Sequence, residues 1–73
     1  MNERSILITF HIEQRREQIG RWMLDHRDDS IRKIAKEFML SKSQCHRDIH
    51  NLRCQDDELY IQCINVLRRR KHG

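Results

Sequence analysis

Six hydrogen-bonding side chains crowd one short stretch of this chain: Lys42, Ser43, Gln44, His46, Arg47 and His50. Cys45, Ile49 and Leu52 are interleaved with them at helical spacing. Wound into a helix, the three apolar residues turn inward and the six polar ones take the remaining surface. Nearly all six are donors, which suits the edges of base pairs. Lys42 and Arg47 fit O6 and N7 of guanine, and the Gln44 amide fits adenine. Ser43 suits a base or a phosphate, and His46 and His50 can donate or accept. A small helix with donors on its outer face fits a DNA major groove. Asp48 is the acid on the same helix, and it is expected to pair with Arg47 or Arg53 rather than face phosphate.

Other chemistry finds little support. Cys45 and His46 are adjacent, and neighbouring helix residues point in different directions, so they form no catalytic pair. His46 and His50 stand four apart, but no third metal ligand accompanies them. Cys45, Cys54 and Cys63 lie nine residues apart, and no C-x-x-C pair exists. No nucleophile-base-orienter set and no phosphate loop is present. No enzyme activity, metal or cofactor is expected. The apolar run 6–8 is too short for a secretory or membrane segment, so a cytoplasmic chain with reduced thiols and no membrane partner is expected.

The elements that must position the six side chains can be read around them. Ile31, Ile34, Ala35 and Phe38 repeat at helical spacing, giving a helix over 31–38 or 31–39. Met39 and Leu40 fall where a sharp turn belongs. Ser41, three residues before Gln44, opens the next helix as a capping box: the hydroxyl accepts from the Gln44 amide, and the Gln44 side chain reaches back. That helix runs from 42 to about 53, so a helix-turn-helix spans about 30–53. Upstream, a first helix runs from about residue 5 or 9 to 26. Ile8, Ile12, Ile19, Trp22 and Met23 form its apolar face, with Arg15, Arg16, Glu17 and Arg21 outward. Gly20 interrupts it at about 1 kcal/mol against Ala, which implies close packing on another helix. Asp28, Asp29 or Ser30 caps the second helix. After a loop at 54–55, a fourth helix spans about 56–71, acidic at its start and basic at its end, with Tyr60, Cys63, Ile64 and Leu67 on the core.

Size and composition agree with this reading. Seventy-three residues make one domain, 1–73, and a chain of this size buries only about 60% of its unfolded surface. There is no Pro and there are only two Gly, so the fold class is all-α, a small bundle of about four helices. The net charge of +4 is unevenly spread. Residues 1–30 hold five Lys or Arg against six Asp or Glu, and residues 31–53 hold six against two. The four cations of residues 54–73 all lie in the last six positions. That pattern marks a nucleic-acid binder. Ser30, Arg32, Lys33, Lys36 and Ser41 suit phosphate contacts, which give affinity without sequence information. Arg68, Arg69, Arg70 and Lys71 suit phosphates beyond that footprint.

IGRW at 19–22, IRKIAKEF at 31–38 and SKSQCHRDI at 41–49 together resemble the sporulation stage III protein D family. The resemblance covers residues 19–52 well and the rest loosely. It implies a bacterial, helix-turn-helix transcriptional regulator of sporulation genes that binds double-stranded DNA as a monomer, with a basic C-terminal segment lengthening the contact. Such a regulator is expected to recruit or block RNA polymerase, and the apolar N-terminal run is the one argument for a dimer instead. Three departures stand out. Met39 occupies the turn position where the family usually has Gly, and Cys45 replaces a usual Val. The sequence also ends at Gly73, where family members continue, so fewer tail contacts are expected. A second reading is a helical protein-interaction module with only nonspecific DNA affinity, held to its partner through the apolar residues 6–10.

Overall fold

The structure is a computed structural model that describes residues 3–71, with side chains from Glu3 to Arg70. It contains α1 (Glu3–Asp25), α2 (Ile31–Glu37), α3 (Lys42–Asn51) and α4 (Asp57–Lys71), with a single 3-10 turn at Leu52–Cys54. No strand occurs among the described residues. The all-α expectation holds, and the boundaries differ mainly at two places. The first helix begins at Glu3, and the chain tightens into the 3-10 turn where a regular helix to Arg53 was expected.

The starts of α2, α3 and α4 each have a local cause. The Ser30 hydroxyl accepts from the Lys33 amide at 3.2 Å, and the Ser41 hydroxyl accepts from the Gln44 amide at 3.1 Å. Asp56 does the same for the Leu59 amide at 3.1 Å. Each satisfies one otherwise orphaned donor of a first turn. Asp29 is drawn aside: it pairs with Lys33 Nζ at 3.2 Å and accepts from the Trp22 indole at 3.3 Å.

The turn between α2 and α3 is closed by two backbone bonds, Leu40 N–H to Ala35 O at 2.8 Å and Met39 N–H to Lys36 O at 3.1 Å. This is the Schellman arrangement, which needs a left-handed residue just past the helix. Met39 is that residue, with φ 55°, and its side chain is 89% exposed. A Cβ in that conformation costs about 1 kcal/mol or more relative to Gly. The turn thus has the shape a glycine would give it, at some cost in strain.

The core draws on every helix: Ile19 and Met23, Ile34 and Ala35, Cys45 and Ile49, Leu52, then Leu59, Cys63 and Val66. Burying each larger aliphatic side chain contributes about 1.5–3 kcal/mol. The buried face of α4 is Leu59, Cys63 and Val66, while Tyr60, Ile64 and Leu67 lie half-buried on its flank. The helix is therefore rotated from the expected stripe. Trp22 packs edge-on against Phe38 and stacks on His26.

α4 lies beside α1 and runs parallel to it. Gln55 Nε2 donates to Glu13 O at 2.6 Å, Cys63 Sγ donates to Gly20 O at 3.5 Å, and Arg70 Nη2 donates to Arg27 O at 2.6 Å. Gly20 makes the approach possible: a Cβ there would lie 2.9 Å from Leu52 Cδ1 and 3.0 Å from Leu59 Cδ2. Because α4 starts alongside Glu13, the first turns of α1 overhang the bundle. Ile6, Leu7, Ile8 and Phe10 are each more than half exposed. Ile8 was expected on the packed face; no element among the described residues reaches far enough to cover it.

Candidate nucleic-acid interface

Cys45, Ile49 and Leu52 anchor α3 in the core, each with no exposed surface. The rest of the helix falls into an outer face and two flanks. Ser43, Arg47 and His50 are exposed on the side opposite the anchor. Asn51, four residues after Arg47, is exposed beside it, and sequence reasoning did not single it out. Lys42, Ser43, His46 and Arg47 border one shallow hollow on this surface.

The flank towards α4 is open and positive. Lys42, His46 and His50 line a groove of about 880 Å³ whose floor is Ile31, Tyr60, Ile64 and Leu67. Ser30, Arg32, Arg68 and Arg70 border the same groove, as does Arg27, which sequence reasoning did not single out. Asp28 is the one acid among the residues lining it. The His46 and His50 rings lie 4.5 Å apart, and His50 is 6.3 Å from the Tyr60 ring. The fold thus brings the basic C-terminal helix end next to the start of α3. Arg70 helps hold it there, since both its Nε and Nη2 donate to Arg27 O, at 3.2 and 2.6 Å.

The flank towards α1 is closed. Asp48 has no exposed surface. Arg15 grips it with two bonds, Nε to Oδ2 at 2.7 Å and Nη2 to Oδ1 at 3.0 Å. Gln44 Nε2 donates to Oδ1 at 3.0 Å, and Arg16 Nε stands 4.0 Å away. Three expectations are corrected here. Asp48 pairs with neither Arg47 nor Arg53, because its position on α3 turns it towards α1. Arg15 and Arg16 are half-buried against it rather than outward. The Gln44 side chain does not close the capping box, because donation from its NH2 to the buried carboxylate turns it away from the Ser41 amide. A signal existed: Arg15 and Arg16 fall between Ile12 and Ile19 on the buried side of α1, and long Arg stems lie readily along apolar surface.

The remaining candidates are scattered. Lys33 and Lys36 are exposed on α2 and line neither hollow, and Lys33 is already paired with Asp29. The hydroxyls of Ser30 and Ser41 act as caps, yet each keeps its own proton to donate. Arg69 is exposed at the end of α4, and the side chain of Lys71 lies outside the described residues.

Nothing in the site suggests nucleophilic or metal chemistry. Burial pushes the Cys45 thiol up to about 11, with the Asp48 charge adding to it. Burial followed by Asp56 does the same to Cys63, also to about 11. Both are held as unreactive thiols. No cluster of three metal-ligating side chains occurs among the described residues, and no helix among them is long and apolar enough to cross a membrane.

No curated protein matches the chain, and no solved structure does. The family model described as Stage III sporulation protein D matches residues 9–73, which takes in most of α1 and all of α2, α3 and α4. The chain therefore belongs to the stage III sporulation protein D family, a family of sporulation-related regulators.

Proposed function

We propose that this protein is a sequence-specific DNA-binding transcriptional regulator of sporulation genes, with α2 and α3 acting as a helix-turn-helix. α3 enters the major groove, presenting Lys42, Ser43, Gln44, His46, Arg47 and His50, with Asn51 beside them. α2 crosses the backbone, where Ser30, Arg32, Lys33, Lys36 and Ser41 meet phosphates. Arg68, Arg69, Arg70 and Lys71 extend the phosphate contact from the end of α4. It binds as a monomer and acts by recruiting or blocking RNA polymerase.

One observation carries the reading. The only acid on α3 is withdrawn into the fold, while cations border the groove beside the helix. A face cleared of negative charge in this way suits a polyanion.

Selection of bound sequences from a random duplex pool at about physiological ionic strength tests it. One short enriched motif without two-fold symmetry is expected. Arg47→Ala should then weaken specific binding by about 1–3 kcal/mol while leaving the fold intact. Ile6, Leu7, Ile8 and Phe10 favour a second reading, an interaction module that docks a protein through the overhanging start of α1. No enriched motif, with binding that disappears as salt rises, would select that reading.

A further inference from the structure

Gln44 is held by a charge that comes from another helix. Its amide faces Asp48 Oδ1 at 3.0 Å, and a carboxylate only accepts, so the group turned inward is the NH2. Asp48 is fixed in turn by the Arg15 fork, at 2.7 and 3.0 Å. One Nε2 hydrogen is thereby spent. The Gln44 carbonyl oxygen has no partner among the described residues and is not among their buried unpaired atoms. With the hydrogen anti to that oxygen given to Asp48, the second hydrogen lies on the oxygen's own edge. An acceptor and a donor side by side match N6 and N7 of adenine.

We infer that Arg15 and Asp48 are positioning residues that set which edge of the Gln44 amide the protein offers to DNA, and so specify an adenine at one position of its site. The inference rests on the DNA-reading function proposed above. Gln44 needs such a device. A free glutamine amide can turn over by half a rotation and offer its donor and acceptor in the opposite order. The Asp48 carboxylate removes one of the two orientations. The helix cap does not compete, because the Ser41 hydroxyl uses the backbone amide of Gln44 and not its side chain.

Asp48→Asn is the informative change. Asparagine offers one oxygen and one NH2 in place of two oxygens. If its NH2 takes the place of Oδ1, Gln44 and Arg15 Nη2 both lose their acceptor and the Gln44 amide must turn over; if it takes the place of Oδ2, the fork loses the Nε bond that fixes the group Gln44 leans on. Arg15→Gln loosens the carboxylate from the other side. Arg15 is about one-third exposed, so this change leaves no fully buried group at its own position.

Two measurements test the inference. The first is the side-chain amide NMR spectrum of the free protein. One Gln44 amide proton should be displaced and slow to exchange, and should return to ordinary values in Asp48→Asn and Arg15→Gln. A freely averaging Gln44 amide in the unaltered protein would overturn the inference whatever the DNA result. The second is motif selection with the unaltered protein, Gln44→Ala, Asp48→Asn and Arg15→Gln, each first checked for a cooperative melt. All three variants should lose about tenfold preference for adenine at the same single position, with other positions retained. Combining Gln44→Ala with Asp48→Asn should add nothing further there. Loss spread over all positions would make Asp48 a purely structural residue, and retention of the adenine in folded Arg15→Gln would sink the relay. An ordered Gln44 amide with no motif for the unaltered protein would instead reject the DNA-reading function, and the assignment of adenine with it.

Discussion

The two flanks of α3 handle charge in opposite ways. Towards α1, one carboxylate is fully buried and met by Arg15, Arg16 and Gln44. Towards α4, Lys42, Arg27, Arg32, Arg68 and Arg70 border an open groove with a single acid. The residue types alone do not separate the two. Arg15 and Arg68 are the same side chain, and what differs is solvent. A buried charge must be paired, because leaving it alone costs several kcal/mol, whereas an exposed cation needs no protein partner. The closed flank therefore fixes the helix, and the open flank stays available for an anion.

The largest effect should come from breaking the closed flank. Asp48→Ala should lower unfolding stability by about 3 kcal/mol, at the low end for a buried pair because Arg15 can swing into water. In a domain with about 5–15 kcal/mol in total, that is readily seen in urea denaturation. Lys42→Ala should leave the same curve unmoved; equal losses at the two sites would erase the contrast between the flanks. The open flank is probed through DNA. Arg68→Ala should reduce the slope of log affinity against log salt by about 0.9, the share of one phosphate contact. An unchanged slope would remove the α4 end from the interface.

The thiols sharpen the comparison from the core. At mildly alkaline pH, Cys54 should react quickly with a thiol reagent, while buried Cys45 and Cys63 stay silent until the protein unfolds. A thiol raised from 9.0 to about 11 stabilises the fold below its unfolded value, and that stability is lost as pH rises from about 9 towards 11. Cys45→Val should shrink the alkaline loss, as read by thermal melts across that range. The smallest effect is expected at the turn. Met39→Gly should relieve left-handed strain and raise stability by about 0.5 kcal/mol, the gain being offset by glycine's extra freedom when unfolded. A loss instead would mean that Met39 packs in a way its 89% exposure does not suggest.

Much of the fold could be read from local pattern. Ser41 three residues before Gln44 marked the start of α3, and the run Asp28, Asp29, Ser30 marked that of α2, with Ser30 turning out to be the cap. Gly20 marked a close helix contact, and Met39 the place of the sharp turn. Less of the site was legible. The expected partners of Asp48 were its neighbours Arg47 and Arg53, because sequence separation suggests neighbours first. The actual partner lies 33 residues away. Likewise Arg27 enters the groove only because the end of α4 docks on the loop before α2.

The sequence by itself determined the all-α class, the starts of α2, α3 and α4, the turn, and the set of donors on α3. These depend on spacing and on hydrogen bonds that span three to five residues, so a local reading suffices. Only the tertiary structure decided which charges are spent inside the molecule and which are left for a partner. That outcome turns on how α3 is rotated between α1 and α4, and helix rotation is set by packing among residues far apart in the chain.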